Sequence, residues 1–200
     1  FKKWNKEKIL GEVVYRIRAY QPDIIITRFA PYTEGLNRTH GHHTASAILA
    51  LEAFKLAADK DAYPRQLDKV ATWNTRAIFW NSSWWSYGGK ERLDSIAATN
   101  PEKYKKLQIE SYVDELGLTS SEIASNSRSM HKSQGFGTRP YYGPNFEYLE
   151  LLDGNGAALD ALVNPYSPQT EYEKLLNNAR FAKADAIPGL LKQAIMRKMG

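Results

Sequence analysis

The apolar positions of this chain change period several times, and each change marks an element. From Asn5 to Tyr20, Ile9, Val13, Val14 and Ile17 recur every three or four positions, which predicts an amphipathic helix. Asn5 is a residue type that caps helix N-termini, because its side-chain carbonyl accepts from a free backbone N–H. Gln21-Pro22 stops the helix, since a proline ring disfavours the helical conformation in the residue before it. Asp23-Ile24-Ile25-Ile26-Thr27 is then apolar and β-branched at its centre, as suits a strand covered on both faces. After a polar loop the helical period returns. Ile48, Leu51, Phe54 and Ala58 share one face, while Glu52, Lys55 and Asp59 fall on others, so a helix begins at or just before His43 and ends near Asp59.

The second half alternates less regularly. Thr75 to Asn81 is β-branched and aromatic and predicts a second strand. Lys90 to Lys106 is polar and reads as a surface insertion with a short helix, and Leu107 to Tyr112 as a third strand. Thr119-Ser120-Ser121-Glu122 is a capping box, a hydroxyl residue with glutamate three positions on, so a helix starts there and runs to about Gln134, with Gly135 as its terminator. Phe146 to Leu152 alternates as a strand and ends in the Asp153-Gly154-Asn155-Gly156 turn. Glu171 to Lys183 and Pro188 to Lys198 read as two further helices. Strands alternating with helices in this order predict an α/β fold.

Composition narrows the picture a little. Of 200 residues, 42% are hydrophobic and 12% aromatic, enough for one domain with a real core. There is no cysteine, which removes disulfides and thiolate metal sites. No run approaches the roughly 18 apolar residues of a membrane span. The net charge of +5 is spread along the chain, and its densest run, Lys103 to Lys106, reads as solvated surface, so no nucleic-acid partner is expected.

The candidate chemistry is concentrated. Three of the four histidines, His40, His42 and His43, lie in the loop between the first strand and its helix. Neutral imidazole is the commonest protein ligand for zinc, and ligands of open α/β sheets bind at the C-terminal ends of strands. His40 and His43 are three apart, so their rings converge if the helix begins near His43. Arg28, at the strand's C-terminal end, is placed either to meet a substrate's hydroxyl or carboxylate or to form a structural ion pair. The Ser82-Ser83-Trp84-Trp85-Ser86-Tyr87-Gly88-Gly89 stretch carries aromatics that stack on sugars or pack in a core, and packing is the expectation. His131 and Gln134 share one helix face.

On these residues a family resemblance stands. IRAYQPDIIITRF followed by HGHHTASAILALEAF resembles the second half of the PIG-L (LmbE-like) deacetylase domain, where a Pro-Asp and hydrophobic strand leads to an H-x-x-H motif and an alanine-rich helix. Ser129-Met130-His131-Lys132-Ser133-Gln134 is similar to the family's downstream H-x-S-Q helix, and Trp4, Ile9-Leu10 and the tryptophan-rich stretch resemble its larger Bacteroidetes-type members. The resemblance implies a Rossmann-like, partly parallel sheet with flanking helices, and zinc-dependent removal of an N-acetyl group from an N-acetylglucosamine-like sugar conjugate. It makes His43 a zinc ligand and His40 the catalytic residue that stabilises the oxyanion or protonates the leaving amine. Arg28, Arg38, His42, His131 and Gln134 would contact the substrate. Gly41-His42 stands where the family has Pro-Asp, which leaves the role of His42 open.

The family's A-H-P-D-D-E motif, source of two zinc ligands and the general base, is not in this sequence. Residues 1–165 therefore read as the C-terminal portion of such a domain, N-terminally truncated, and 166–200 as a helical extension or linker. The zinc ion's remaining ligands and the activity would belong to the parent protein, and no signal peptide is visible, which leaves periplasmic, secreted and cytoplasmic locations open. The alternative is a relative of this fold that binds carbohydrate or metal without turnover.

Overall fold

The structure is a computed structural model describing residues 4–32, 36, 40–134, 137 and 139–163. The two helices expected over 171–183 and 188–198, the boundary at 166, Gly135 and Arg38 lie outside the described residues. The chain divides into two compact units, one of Phe1–Leu107 with Glu147–Asp160, the other of Gln108–Phe146 and the chain from Ala161.

The first unit is an α/β assembly with a mixed, partly parallel sheet flanked by helices, consistent with a Rossmann-like fold. Helix α1 (Lys6–Tyr20) opens on Asn5, whose side chain accepts from the Lys8 N–H at 3.1 Å. Strand β1 (Ile24–Thr27) pairs parallel with β2 (Ala77–Ser82), Ile24 opposite Ala77 and Thr27 opposite Trp80. Helix α2 (Gly41–Ala58) lies between them in sequence, forming a βαβ unit. β2 pairs antiparallel with β6 (Phe146–Gly154), with a register shift between Ile78 and Phe79, and β3 (Tyr104–Gln108) lies on the far side of β6. The sheet order is thus β1-β2-β6-β3.

Register puts Ile25 and Thr27 on one sheet face, and Ile24 and Ile26 on the other. The first face meets Leu10, Val14 and Ile17 of α1 and Leu49, Ala53 and Ala57 of α2. The second meets Phe79, Leu149, Ala158 and Leu159, the last two from α5 (Ala157–Val163). Several expectations are corrected here. The buried face of α2 is Ala47, Leu49, Ala53 and Ala57, one or two positions away from the expected Ile48, Leu51, Phe54 and Ala58, because small residues let α1 and α2 approach closely. β1 is covered on its second face only in part, at Ile24, since Ile26 is 55% exposed. Lys90 to Lys106 is no surface insertion: α3 (Lys90–Thr99) buries Leu93 and Ala97, and β3 enters the main sheet earlier than the expected 107–112.

Another core feature escaped the hydrophobic pattern. Arg18, 1% exposed on α1, donates to the carbonyls of Leu56, Ala57, Asp59 and Ala62 at 2.6–3.2 Å and to Gln66 Oε1 at 3.1 Å. One guanidinium thereby gathers carbonyls from the last turn of α2 and the loop after it, adding to the backbone donors that Leu56 and Ala57 already have.

In the second unit, β4 (Tyr112–Val113) and β5 (Leu118–Thr119) form a short antiparallel ladder leading into α4 (Ser120–Ser129). The capping box is present: Thr119 Oγ1 accepts from the Glu122 N–H at 3.2 Å, and Glu122 accepts from the Thr119 N–H at 2.8 Å. The helix ends at Ser129 rather than near Gln134, and Lys132–Gln134 form a separate 3₁₀ turn.

Candidate functional site

The site forms where β1 ends and α2 begins. Thr27 Oγ1 donates to the Phe29 carbonyl at 2.8 Å, which turns the chain out of the strand, and Ala30 is buried beyond it. His40 occupies the N-cap position of α2 in extended conformation, but its side chain makes no capping hydrogen bond. Its carbonyl instead accepts from the His43 and Thr44 N–H groups at 2.9 and 3.3 Å. The imidazole is thus left to other partners. His42 and His43 fall in the first helical turn, and the ring centroids lie 5.5 Å (40–42), 5.2 Å (40–43) and 4.3 Å (42–43) apart. A Cβ built on Gly41 would meet nothing within 4 Å, so the glycine leaves open space before the helix.

Phe29 stacks on His43 with centroids 3.8 Å apart and planes 4° from parallel. The His43 pKa is pushed down, first by loss of hydration and then by the His42 and His40 rings. A positive helix N-terminus disfavours imidazolium in the same sense. The neutral ring is the form that ligates metal. The three imidazoles match in kind the nitrogen ligands that zinc takes. Among the described residues, no group of three or more His, Cys, Asp or Glu is arranged to hold a metal ion.

Beside the histidines a small cleft of about 50 Å³ is lined by Arg28, Phe29, Trp80, Asn81, Ser83 and Trp85. These residues follow β1 or lie along and just after β2, so the cleft occupies the C-terminal side of two parallel strands, and Phe29 joins it to His43. Arg28 donates to the Asn81 side chain at 2.5 Å, and Asn81 donates in turn to Glu147 at 2.7 Å. Arg28 is exposed, and its partner is a neutral amide rather than an ion-pair carboxylate. Trp84 and Trp85, expected to pack, are 58% and 42% exposed; Trp80 and Tyr87 are the buried aromatics of that stretch.

His40, His42 and His43 are brought together, and Arg28 lines the cleft next to Phe29, the residue stacked on His43. His131 is exposed after α4 and Gln134 ends the 3₁₀ turn, both in the second unit. Two features went unread in the sequence. Phe29 gave no signal beyond its position, whereas Glu150 did, as a glutamate in the middle of the apolar alternation FEYLELL. Glu150 is 1% exposed and accepts from the Tyr32 hydroxyl, from Tyr87 OH at 2.5 Å and from Lys103 Nζ at 2.9 Å. The Tyr87 and Tyr104 hydroxyls are 3.0 Å apart. Burial, then the bonds to Glu150, push the Tyr32 and Tyr87 phenols far above the usual range, so both remain donors. The same carboxylate raises Lys103.

Comparison with protein-family models, with curated proteins and with solved structures finds no match to this chain.

Proposed function

We propose that this chain contributes to the active site of a zinc-dependent N-deacetylase acting on an N-acetylated amino sugar conjugate, as its resemblance to PIG-L (LmbE-like) domains implies. The observation that carries the reading is the trio of imidazoles, rings no more than 5.5 Å apart, at the C-terminal end of a parallel strand beside a cleft. His43, with help from a neighbouring ring, would hold the ion. A zinc ion supplies a polarised amide carbonyl and an acidified water. His40, exposed at the helix N-terminus, places a donor where an oxyanion or a leaving amine needs one. Arg28 meets sugar hydroxyls or an anionic substituent, and the exposed face of Trp85 offers a stacking surface for a sugar ring. Among the described residues, the structure contains no helix long and apolar enough to cross a membrane.

A second reading, a relative that binds carbohydrate or metal without turnover, is supported by Gly41-His42 standing where the family has Pro-Asp and by the exposed Trp84 and Trp85. One experiment separates the two. Zinc content and acetate release from N-acetylglucosamine conjugates are measured for the full-length protein and its His43→Ala variant. The deacetylase reading expects about one zinc per chain, with metal and activity both falling at least tenfold in the variant. Zinc without acetate release supports the binding reading, and a variant that keeps metal and activity unchanged ends both.

A further inference from the structure

We infer that Glu150 and Tyr32 form a positioning pair for the histidine site: the buried carboxylate on β6 anchors the loop leaving β1 and so sets the Phe29 ring against His43. The argument follows a short path. Glu150 sits opposite Trp80 in the sheet and is fixed from three directions, by Tyr87 after β2, by Lys103 at the start of β3, and by Tyr32. Tyr32 also meets Trp80 edge-on, with centroids 6.0 Å apart. Only two residues separate Tyr32 from Phe29, and Ala30 between them is buried, so little slack remains between the anchored hydroxyl and the ring stacked on His43. A group that does not touch the substrate thereby orients an imidazole, as the hydrogen-bonding neighbours of metal ligands commonly do. The inference rests on the reading of His43 as a ligand for its functional consequence, but not for the contact itself.

Tyr32→Phe removes one hydroxyl and leaves Glu150 with two donors, so the variant should fold. Tyr87→Phe removes a hydroxyl from the same carboxylate while leaving the loop's own residues unchanged, which makes it the matched control. Two readouts apply to the full-length protein: NMR contacts and ring-current shifts between Phe29 and His43 in aromatic-labelled samples, and the zinc dissociation constant. Tyr32→Phe is expected to weaken or abolish the Phe29–His43 contacts and to loosen zinc about tenfold, while Tyr87→Phe changes neither. The inference is overturned if Tyr32→Phe keeps the ring contacts, or if Tyr87→Phe disturbs them as much. Should the wild-type protein bind no zinc, the proposed function fails, and the ring contacts alone then decide the positioning pair.

Discussion

At the scale of single residues, polar side chains buried in the first unit hold it together where apolar packing alone would not. Arg18 spreads its donors over several carbonyls at the end of α2, a geometry that a planar guanidinium meets and a lysine ammonium does not. Arg18→Met fills similar volume but removes the charged donor from the Asp59 and Ala62 carbonyls and the second donor from those of Leu56 and Ala57, so it should cost about 1.5–3 kcal/mol. Arg18→Lys should recover only a minor part of that. Urea denaturation of the three proteins checks it, and a Met variant within about 0.5 kcal/mol of wild type would refute the capping role. Glu150 follows the same logic at the site, where one carboxylate accepts from two phenols and an ammonium. Arg18 was not legible in the sequence, and Glu150 showed only as a charge inside an apolar alternation. A charge inside an amphipathic element signals burial only once its partners are known.

At the scale of elements, the helices and strands follow local rules closely, and the exceptions lie where tertiary contact overrides them. The caps at Asn5 and Thr119 were legible because their chemistry spans only three residues. The buried face of α2 was misread by one or two positions because the period was read from the large residues Ile48, Leu51 and Phe54, whereas Leu49 and two alanines meet α1. Gly154 is a sharper case. It ends β6 with φ +88°, and a Cβ there would approach the Arg76 carbonyl oxygen to 2.4 Å. Gly154→Ala is therefore expected to destabilise by about 2–4 kcal/mol, visible as a lower urea midpoint, because strain and a backbone clash add. A shift below about 0.5 kcal/mol would mean that the β2–β6 connection is looser than this.

At the scale of the whole molecule, burial differs between the units and should be read out as differing local stability. In the first unit, Ala77, Ile78, Phe79, Tyr148 and Leu149 are buried on β2 and β6; in the second, Ser125 alone is buried among the described residues. Hydrogen exchange should accordingly be slowest in β2 and β6 and at least tenfold faster in α4, and equal protection would contradict it. The sequence by itself determined the α/β class, the first two helices, the succession of strand, helix and strand through β1, α2 and β2, strand β6 and the gathering of His40, His42 and His43 in one loop. Those features depend on residue period, cap chemistry and close spacing, all read within a few positions. Only the tertiary structure decided the sheet order, the place of β3, the exposure of Trp84 and Trp85, and the stacking of Phe29 on His43. It also decided that Tyr32 meets Glu150, a contact across 118 positions. Such contacts are fixed by how distant segments pack, and no local pattern encodes which distant partner a buried polar group will find.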